Sequence, residues 1–485
     1  MTIHHRAFLC VLCAFALEAS DVFAQSRPNF LFIYTDDQRY DALGVVQREQ
    51  GEKARFPWFE TPNLDRIASE GVRFRNAFVV NSLCAPSRSV YLTGRYSHAN
   101  GVANNHTPFP AENIPTTWSS LLKQAGYATG YVGKFHHGQQ PGKRPGFDYS
   151  ASFIGQGRYM DCPFEVNGQT QQTVGYVDDV STDFAKAFIN TNREKPFALV
   201  VGYKAAHGPF DPPPRLSDKY AGKEARPAPN MNTPAIYTGK FSGGPPKADA
   251  KPKKKAQADA KPKAKTGNRT MLQGYFGCLA AVDENVGRLL AQLDELKLAD
   301  NTVVVFASDN GFYLGEHNLG DKRSAYDESL RIPLLVRYPK LGEKARGKTV
   351  DQMALNLDLA PTILDLAGVT IPNTMQGRSW RPLLEGNAAS ANWRTAFFYE
   401  YFYERPYAIP TVLAVRTDTA KLINYPGHDD WTELFNLSAD PYETKNLAAD
   451  PASKDLLAKM QTEFDRQTKA IDFRIPDFAD PLPAQ

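Results

Sequence analysis

The 485-residue sequence predicts an α/β fold in which helices flank a central sheet. Two observations carry this prediction. Strand-like and helix-like segments alternate from Asn29 onwards, which is the order found in sheets that helices cover. One strand-like segment, Thr302–Ala307, is a β-branched run of the kind buried on both faces of a parallel sheet. The composition, 42% hydrophobic and 22% charged, is that of a globular protein.

The helix predicted over Thr61–Gly71 has recognisable ends, because Thr61 is an N-cap residue, Pro62 starts the first turn and Gly71 stops the helix. A longer helix is predicted over Met271–Leu298, where apolar residues recur every three or four positions. The other predicted elements, in chain order, are the strand Asn29–Tyr34, the helix Thr116–Gly126, the strand Tyr127–Val132, the helix Asp178–Ile189 and the strand Phe197–Tyr203.

The pattern changes after about Leu384, where short strands follow one another and a helix closes the chain. We therefore predict a large domain over residues 25–384 and a smaller C-terminal subdomain, built from a short sheet and a helix, over residues 385–485. The predicted strands are Thr395–Tyr401, Thr411–Arg416, Lys421–Tyr425 and Glu433–Leu437, and the predicted helix is Ser453–Lys469.

Two segments are expected to lie outside the packed core. Residues 1–24 are predicted to be a secretory signal peptide, because Arg6 precedes the apolar run Ala7–Leu17 and Ala24 completes a small-residue cleavage site. A buried N-terminal helix is the alternative. Residues from about 240 to 267 form a Lys-, Ala- and Pro-rich insertion that is expected to be a disordered surface segment. No apolar run reaches the ~18–20 residues of a membrane span, so no transmembrane anchor is expected.

The formal net charge of +3 is unevenly distributed. Lys247–Lys265 alone holds eight Lys and two Asp, so the rest of the chain is close to neutral and gives no reason to expect a nucleic acid partner. Removal of a signal peptide would leave Cys84, Cys162 and Cys278. The last two could form a disulfide or remain as two buried thiols, and their spacing does not decide between these states.

Ionisable or metal-binding side chains follow four of the apolar runs at the point where each run ends. In open α/β sheets, ligands bind at the carboxyl ends of the strands. If these four strands are parallel neighbours, the side chains all meet in one crevice. The four groups are Asp36-Asp37, Lys134-Phe135-His136, His207 and Asp309-Asn310.

The acidic members of this set predict a metal site. Adjacent carboxylates repel each other unless a cation is present. Asp36, Asp37, Asp309 and Asn310 offer only oxygen ligands, which suit Ca²⁺ or Mg²⁺ better than zinc. A solvated turn would explain Asp36-Asp37 alone, but the second acidic group at Asp309-Asn310 favours the metal site.

The basic members predict a binding site for an anion. A metal ion surrounded by cationic side chains stabilises the charge on a tetrahedral oxyanion during group transfer. Each basic residue alone would be a surface or packing residue, and their placement beside the strand ends is what favours the anion site. The set comprises Arg88, Lys134, His136, His207 and Lys322.

Cys84-Ala85-Pro86-Ser87-Arg88 resembles the modification motif of the formylglycine-dependent sulfatase family, in which the cysteine is oxidised to an aldehyde. Two later blocks resemble that family as well. The first is Gly126–His136, and the second begins at Ser308-Asp309-Asn310-Gly311 and continues through Lys322 to Pro333. The resemblance extends over roughly residues 27–450, with the Lys-rich insertion as an interruption.

The resemblance implies an alkaline-phosphatase-like fold, with a large mixed, mostly parallel sheet flanked by helices and a smaller C-terminal subdomain. It implies that residues 25–384 are the catalytic domain and that a formylglycine-generating enzyme matures Cys84. It also implies residue roles. Ca²⁺ would be bound by Asp36, Asp37, Asp309, Asn310 and the modified residue 84. Arg88 would stabilise the hydrated aldehyde, and Lys134 and Lys322 would bind the sulfate. His207 would lie near the leaving oxygen as a general acid, and His136 would assist the second step.

The expected chemistry explains why the cysteine is replaced. A hydrated aldehyde carries two hydroxyls on one carbon; one attacks sulfur and displaces the alcohol, and the other then loses its proton as the aldehyde re-forms and sulfate leaves. An unmodified Cys84 cannot follow this route. An inert buried thiol is the alternative reading of Cys84.

The substrate is expected on the same resemblance, and the compartment is expected from the predicted signal peptide. Gly94–His98, Val102–Asn105 and Val415-Arg416-Thr417 resemble the N-acetylglucosamine-6-sulfatases, so we expect a 6-O-sulfated N-acetylglucosamine in a sulfated glycan. The aromatic residues of Phe397–Tyr407 would stack on sugar or pack in the subdomain core. Another sulfated sugar or an arylsulfate, a phosphatase or phosphodiesterase activity, and non-catalytic glycan binding remain as alternatives. The predicted signal peptide implies a secreted or periplasmic protein.

Overall fold

The computed structural model describes residues 27–241, 270–387 and 392–477. The predicted signal peptide and nearly all of the Lys-rich insertion lie outside the described residues. The strands are β1 Asn29–Thr35, β2 Val72–Phe74, β3 Ala77–Phe78, β4 Ala128–Lys134, β5 Tyr149–Phe153, β6 Phe164–Val166, β7 Gln169–Gln171, β8 Phe197–Gly202, β9 Thr302–Ser308, β10 Leu334–Arg337, β11 Lys348–Val350, β12 Ala354–Leu355, β13 Ala396–Tyr401, β14 Val412–Thr417, β15 Ala420–Asn424 and β16 Glu433–Asn436.

Helices precede or follow most of these strands. The α-helices are α1 Gly44–Gln50, α2 Pro62–Glu70, α3 Cys84–Thr93, α4 Ser97–Asn100, α5 Trp118–Gln124, α6 Val177–Thr191, α7 Met271–Glu295, α8 Asp327–Leu330, α9 Leu359–Leu366, α10 Arg381–Leu384 and α11 Lys454–Ala470. The predicted helices are therefore present, with ends that differ by a few residues. The helix predicted from Thr116 begins at Trp118, because Thr117 is its N-cap and accepts a hydrogen bond from the Ser120 amide.

The ten-stranded sheet has the strand order β11-β2-β10-β9-β1-β8-β4-β5-β6-β7. Its centre, β9-β1-β8-β4-β5, is parallel, while β10 pairs antiparallel with β9 and β6 pairs antiparallel with β5. The prediction of a mixed, mostly parallel sheet is confirmed. The sequence did not single out β2, β5, β6, β7, β10 or β11, which are the shorter strands towards the two edges.

Two hydrophobic cores cover the two faces of this sheet. Along β1, Leu31 and Ile33 belong to one core and Phe30, Phe32 and Tyr34 to the other, because successive side chains of a strand point to opposite faces. Helices α2, α6 and α7 pack on the first face, and α5 and α9 pack on the second. The apolar stripe predicted for α7 is buried, including the residues Leu279, Val282, Val286, Leu289, Leu290 and Leu293.

The C-terminal subdomain is an antiparallel sheet, β13-β14-β15-β16, against which α11 packs. This arrangement confirms the predicted short sheet and helix. Phe397 and Tyr399 of β13 pack with Phe78 and Tyr326 of the large domain in a third apolar cluster. Among the residues that the structure describes, no helix is long and apolar enough to cross a bilayer.

Cys162 and Cys278 are both buried and neither forms a disulfide. Of the two states that the sequence left open, the structure therefore has two separate thiols.

The parallel strands β4 and β8 approach each other so closely at Gly133 that there is no room for a side chain. Gly133 has φ +87°, and a Cβ added there would lie 2.1 Å from the carbonyl oxygen of Gly202. We expect Gly133→Ala to lower the melting temperature by several degrees, because the left-handed backbone costs about 1–3 kcal/mol and the clash separates the two strands.

The matched control is Gly142→Ala. Gly142 has the same φ of +87°, but an added Cβ would have no atom within 4 Å. Thermal unfolding of both variants separates the backbone strain from the clash. Equal losses of melting temperature would contradict the close approach of β4 and β8.

Candidate active site

Four neighbouring parallel strands place the polar groups that follow them at one edge of the sheet. β9, β1, β8 and β4 lie side by side, and Thr35 at the end of β1 is in register with Ser308 at the end of β9. Asp36 and Asp309 therefore begin adjacent loops, and the Asp309 amide donates to the carbonyl of Thr35 at 2.9 Å. The expectation that these strand ends share one crevice is confirmed.

Cys84 lies at the first turn of α3 and points at the acidic residues. Its Sγ is 3.5 Å from Oδ1 of Asp36. The side chain of Asn105 fixes the start of this helix, because its Oδ1 accepts a hydrogen bond of 2.9 Å from the Ala85 amide. Burial raises the pKa of the Cys84 thiol to about 12, and the charge of Asp36 adds to the effect. An unmodified Cys84 is therefore a protonated thiol and a poor nucleophile at neutral pH.

Three carboxylates and one amide form the acidic part of the site. One oxygen from each of Asp36, Asp37 and Asp309 lies within 4.8 Å of the others, and all three side chains are buried. Asn310 donates from Nδ2 to Oδ1 of Asp37 at 2.6 Å, while its own Oδ1 is buried without a hydrogen-bond partner. Three carboxylates with an unpartnered amide oxygen form a set of hard donors that fits Ca²⁺ or Mg²⁺.

Arg88 forms ion pairs with two of these carboxylates. Its Nη2 is 2.8 Å from Oδ2 of Asp36 and 2.8 Å from Oδ2 of Asp309. Nη1 donates to the carbonyl of Lys134 and, at 3.3 Å, to the hydroxyl of Tyr34. The guanidinium thus ties the ends of β1, β4 and β9 together, which a single ammonium could not do.

Two lysines approach the same carboxylates. Lys134 Nζ donates to Asp36, and Lys322 Nζ is 2.8 Å from Oδ1 and 3.0 Å from Oδ2 of Asp37. Both ammonium groups are buried. A cation cluster with so little access to water is a strong binding site for an oxyanion, because the attraction is poorly screened.

The three carboxylates have different protonation behaviour. Burial alone would raise the pKa of Asp36, but Lys134 and other nearby cations outweigh it and hold that pKa well below its ordinary value. Burial raises the pKa of Asp37 to about 7, with Asp36 and Asp309 adding to the shift and Lys322 opposing it. Burial and Asp36 also raise the pKa of Asp309. Without a further cation the acidic group is therefore not stable with every member ionised.

Two histidines complete the set. His136 and Asp37 both have positive φ, 51° and 60°, which is uncommon for residues with side chains and is typical of constrained functional sites. His207 Nδ1 donates to the carbonyl of Gly208 at 2.9 Å, so Nε2 carries the lone pair. Burial and the nearby Lys134 lower the pKa of both imidazoles well below the ordinary value, so both are neutral here.

The structure brings all ten predicted site residues into this one cluster, in which His207 is half-buried and the other nine are buried. It also adds residues that sequence reasoning missed, above all Gln156, whose side chain lies between Lys134 and His136. The sequence contained a signal for Gln156, because Gly155-Gln156-Gly157 comes soon after the strand β5, just as the predicted polar groups come after their strands. Asn105 and Lys204 were missed as well, since nothing in a lone Asn or Lys marks it as part of a site.

The aromatic residues of Phe397–Tyr407 mostly serve the subdomain core. Phe397, Tyr399, Tyr401 and Tyr403 are buried in the third apolar cluster. Tyr407 is 39% exposed, and the guanidinium of Arg323 lies 3.6 Å from its ring centre. Of the two roles that the sequence left open, packing therefore accounts for most of these rings.

Comparison with known proteins agrees with the family resemblance of the sequence motifs. The family profile described as Sulfatase matches residues 28–369, and the profile described as N-sulphoglucosamine sulphohydrolase, C-terminal, matches residues 315–470. An N-acetylglucosamine-6-O-sulfatase of Bacteroides thetaiotaomicron is 34% identical over 480 residues, which cover 87% of this chain and 82% of that protein. The human N-acetylglucosamine-6-sulfatase is 27% identical, with 90% and 83% coverage.

Solved structures with a similar fold include proteins of the same kind. A structure titled as a complex with its substrate D-glucosamine-2-N,6-O-disulfate has a TM-score of 0.79 and 31% identity, and the match covers 93% of this chain and 99% of that one. A phosphonate monoester hydrolase of Agrobacterium radiobacter has a TM-score of 0.70 at 22% identity, with 92% and 96% coverage. The second likeness concerns the fold alone.

We expect Arg88→Met to destabilise the protein by roughly 3–5 kcal/mol, because it leaves the buried carboxylates Asp36 and Asp309 without their shared partner. Thermal unfolding in chelator should show the loss, and added Ca²⁺ should reduce it by neutralising the same carboxylates. Arg95→Met is the control, since Arg95 follows the same helix and its guanidinium donates to the Asn113 amide oxygen. Equal losses in the two variants would contradict the bridging role.

Proposed function

The chain belongs to the sulfatase family of sulfuric ester hydrolases, and on that premise we propose that it removes the 6-O-sulfate of N-acetylglucosamine in a sulfated glycan. The observation that carries the proposal is the meeting of Cys84 with an acidic group and a cationic group in one buried site. The sugar is proposed from the relatives, because an N-acetylglucosamine-6-O-sulfatase is 34% identical and a complex with D-glucosamine-2-N,6-O-disulfate has a TM-score of 0.79.

Residue 84 is proposed to act as formylglycine, made from Cys84 by a formylglycine-generating enzyme. The hydrated aldehyde would supply a hydroxyl that attacks sulfur while the bond between sulfur and the sugar oxygen breaks. The high pKa of the Cys84 thiol supports this replacement, since the encoded residue is not ionised at neutral pH. Arg88 is proposed to stabilise the hydrate, because its Nη2 is 2.8 Å from Oδ2 of Asp36, the carboxylate whose Oδ1 lies 3.5 Å from Sγ of Cys84.

Asp36, Asp37, Asp309 and Asn310, with an oxygen of residue 84, are proposed to hold a Ca²⁺ ion, with Mg²⁺ as the alternative. Such an ion would act as a Lewis acid on the attacking and transferring oxygens. The unpartnered Oδ1 of Asn310 and the raised pKa of Asp37 support a cation site at this position.

Lys134 and Lys322 are proposed to bind the sulfate oxygens and to stabilise the negative charge that spreads over them during transfer. His207, with Lys322, is proposed to give a proton to the departing sugar oxygen. The imidazole of His207 is neutral without substrate, and the negative charge of a bound sulfate ester would raise its pKa towards the protonated state. His136 is proposed to assist the second step, in which sulfate leaves and the aldehyde re-forms.

A secreted or periplasmic location is proposed as well. It is supported by the charged and apolar pattern of residues 1–24. A relative described as an extracellular sulfatase homologue of Drosophila melanogaster is 29% identical over 78% of this chain, and the match spans 33% of that longer protein.

The function is tested by a panel of defined esters assayed with protein co-expressed with a formylglycine-generating enzyme. We expect sulfate release from N-acetylglucosamine-6-sulfate to exceed release from other sulfated sugars, aryl sulfate, phosphate and phosphonate esters. Cys84→Ala should be inactive, and mass spectrometry of the peptide Asn76–Arg88 should show the aldehyde in the active protein. Full activity with an unmodified thiol would overturn the mechanism, and preference for another ester would overturn the substrate.

The metal proposal predicts loss of activity in chelator and recovery with Ca²⁺ or Mg²⁺. The cation should also raise the melting temperature, because it binds the folded site and not the unfolded chain. Asp309→Asn removes one ligand charge and should weaken both effects, whereas Asp300→Asn, on the surface before β9, should change neither. A metal-free protein with full activity would contradict the ligand set.

A further inference from the structure

Gln156 connects two residues of the active site through the two ends of its amide. Its Oε1 accepts a hydrogen bond from Lys134 Nζ, and its Nε2 lies 3.2 Å from Nε2 of His136. Gln156 comes from the turn after β5, the strand next to β4, which itself carries Lys134. The side chain is therefore supplied by a fifth strand end at the same edge of the sheet.

The chemistry of the three groups fixes the direction of both hydrogen bonds. A lysine ammonium has donors and no acceptor, so the oxygen of Gln156 must face Lys134. The NH₂ of Gln156 then faces His136, and the ring nitrogen that it meets must accept. His136 is neutral, because burial lowers its pKa well below the ordinary value, and a neutral imidazole has one acceptor and one donor. Nε2 is therefore the acceptor and Nδ1 carries the proton.

We propose that Gln156 is a positioning residue that sets the tautomer of His136 and the direction of Lys134. The inference rests on the proposed roles of those two residues in sulfate ester hydrolysis. With Nε2 of His136 accepting from Gln156, the proton lies on Nδ1, which is buried and has no hydrogen-bond partner among the described residues.

Lys134 is constrained in the same way. Its Nζ donates to Asp36 and to Gln156, so two of its three N–H bonds have partners among the described residues. The third remains for an oxygen of the substrate. Loss of Gln156 would free the ammonium to turn towards other acceptors, and the binding of sulfate would weaken.

The turn that carries Gln156 is fixed by two flanking glycines and by a hydrogen bond from Lys204. Gly155 and Gly157 have φ of +58° and +60°, the left-handed conformation that glycine adopts at little cost. The carbonyl of Gln156 accepts a hydrogen bond of 3.0 Å from Lys204 Nζ, and that buried ammonium lies 4.8 Å from the ring centre of Tyr159. The backbone of Gln156 is thus fixed although its side chain is only partly buried.

Two substitutions separate the two hydrogen bonds. Gln156→Met removes both, whereas Gln156→Glu keeps an acceptor for Lys134 and offers His136 an acceptor where it now meets a donor. We expect the wild type to show the Nδ1–H tautomer of His136 in ¹⁵N-histidine NMR spectra, assigned with His136→Gln. Gln156→Glu should change the state of Nε2 so that it carries a proton, and Gln156→Met should give a mixture of tautomers.

Kinetics provide the second readout. We expect kcat to fall about tenfold to a hundredfold in both variants, less than the loss of a full acid–base residue can cost. KM should rise in Gln156→Met and change less in Gln156→Glu, which keeps the contact with Lys134. Melting temperatures should stay near that of the wild type. The control is Gln139→Met, an exposed glutamine beside Gly155 that meets neither residue.

An Nε2–H tautomer in the wild type, or a His136 spectrum unchanged in Gln156→Glu, would overturn the inference. The spectra need no turnover, so they test the tautomer even if the protein hydrolyses no sulfate ester. Inactivity of the wild type on every ester would overturn the proposed function instead.

Discussion

The cost of burying three carboxylates at one edge of the sheet is the constraint on which the rest of the structure depends. Asp36, Asp37 and Asp309 are almost completely shielded from water, and a buried charge is tolerated only when it is paired. Arg88, Lys134 and Lys322 supply the pairing from three different segments of the chain. The parallel register of β9, β1 and β4 therefore has to be held closely, because a shift of one residue would leave charges unpaired.

The same constraint explains why the supporting elements are rigid. All residues of α3 are buried, so the helix that begins at Cys84 cannot move without opening the core. Ser89 of this helix contacts Nε2 of His137 at 2.8 Å, which joins it to the segment after β4. A reactive group in such surroundings gains from preorganisation, because its neighbours need not rearrange when charge develops.

The C-terminal subdomain supports the site from a distance. Asp327, at the start of α8, forms ion pairs with Arg416 at 3.0 Å and Lys421 at 2.7 Å, which belong to β14 and β15. Ser329 in the same helix donates to the carbonyl of Lys322. The subdomain thus holds the segment that presents Lys322 to Asp37. The two profiles that match the chain overlap over residues 315–369, which include this segment.

Cys84, Arg88 and Lys322 stood in motifs that resemble a known family. From local patterns, the sequence by itself determined the α/β class, the central strands, the stripe of α7 and the polar groups that gather at the ends of β1, β4, β8 and β9. It could do so because burial on both faces, helical spacing and abrupt polar residues after a strand are local patterns. Only the tertiary structure decided that Gln156 lies between Lys134 and His136, that Cys162 and Cys278 stay apart and that most aromatic residues of Phe397–Tyr407 pack inside. Each of these depends on which strands and segments become neighbours, and the side-chain pattern of a single segment does not encode its neighbours.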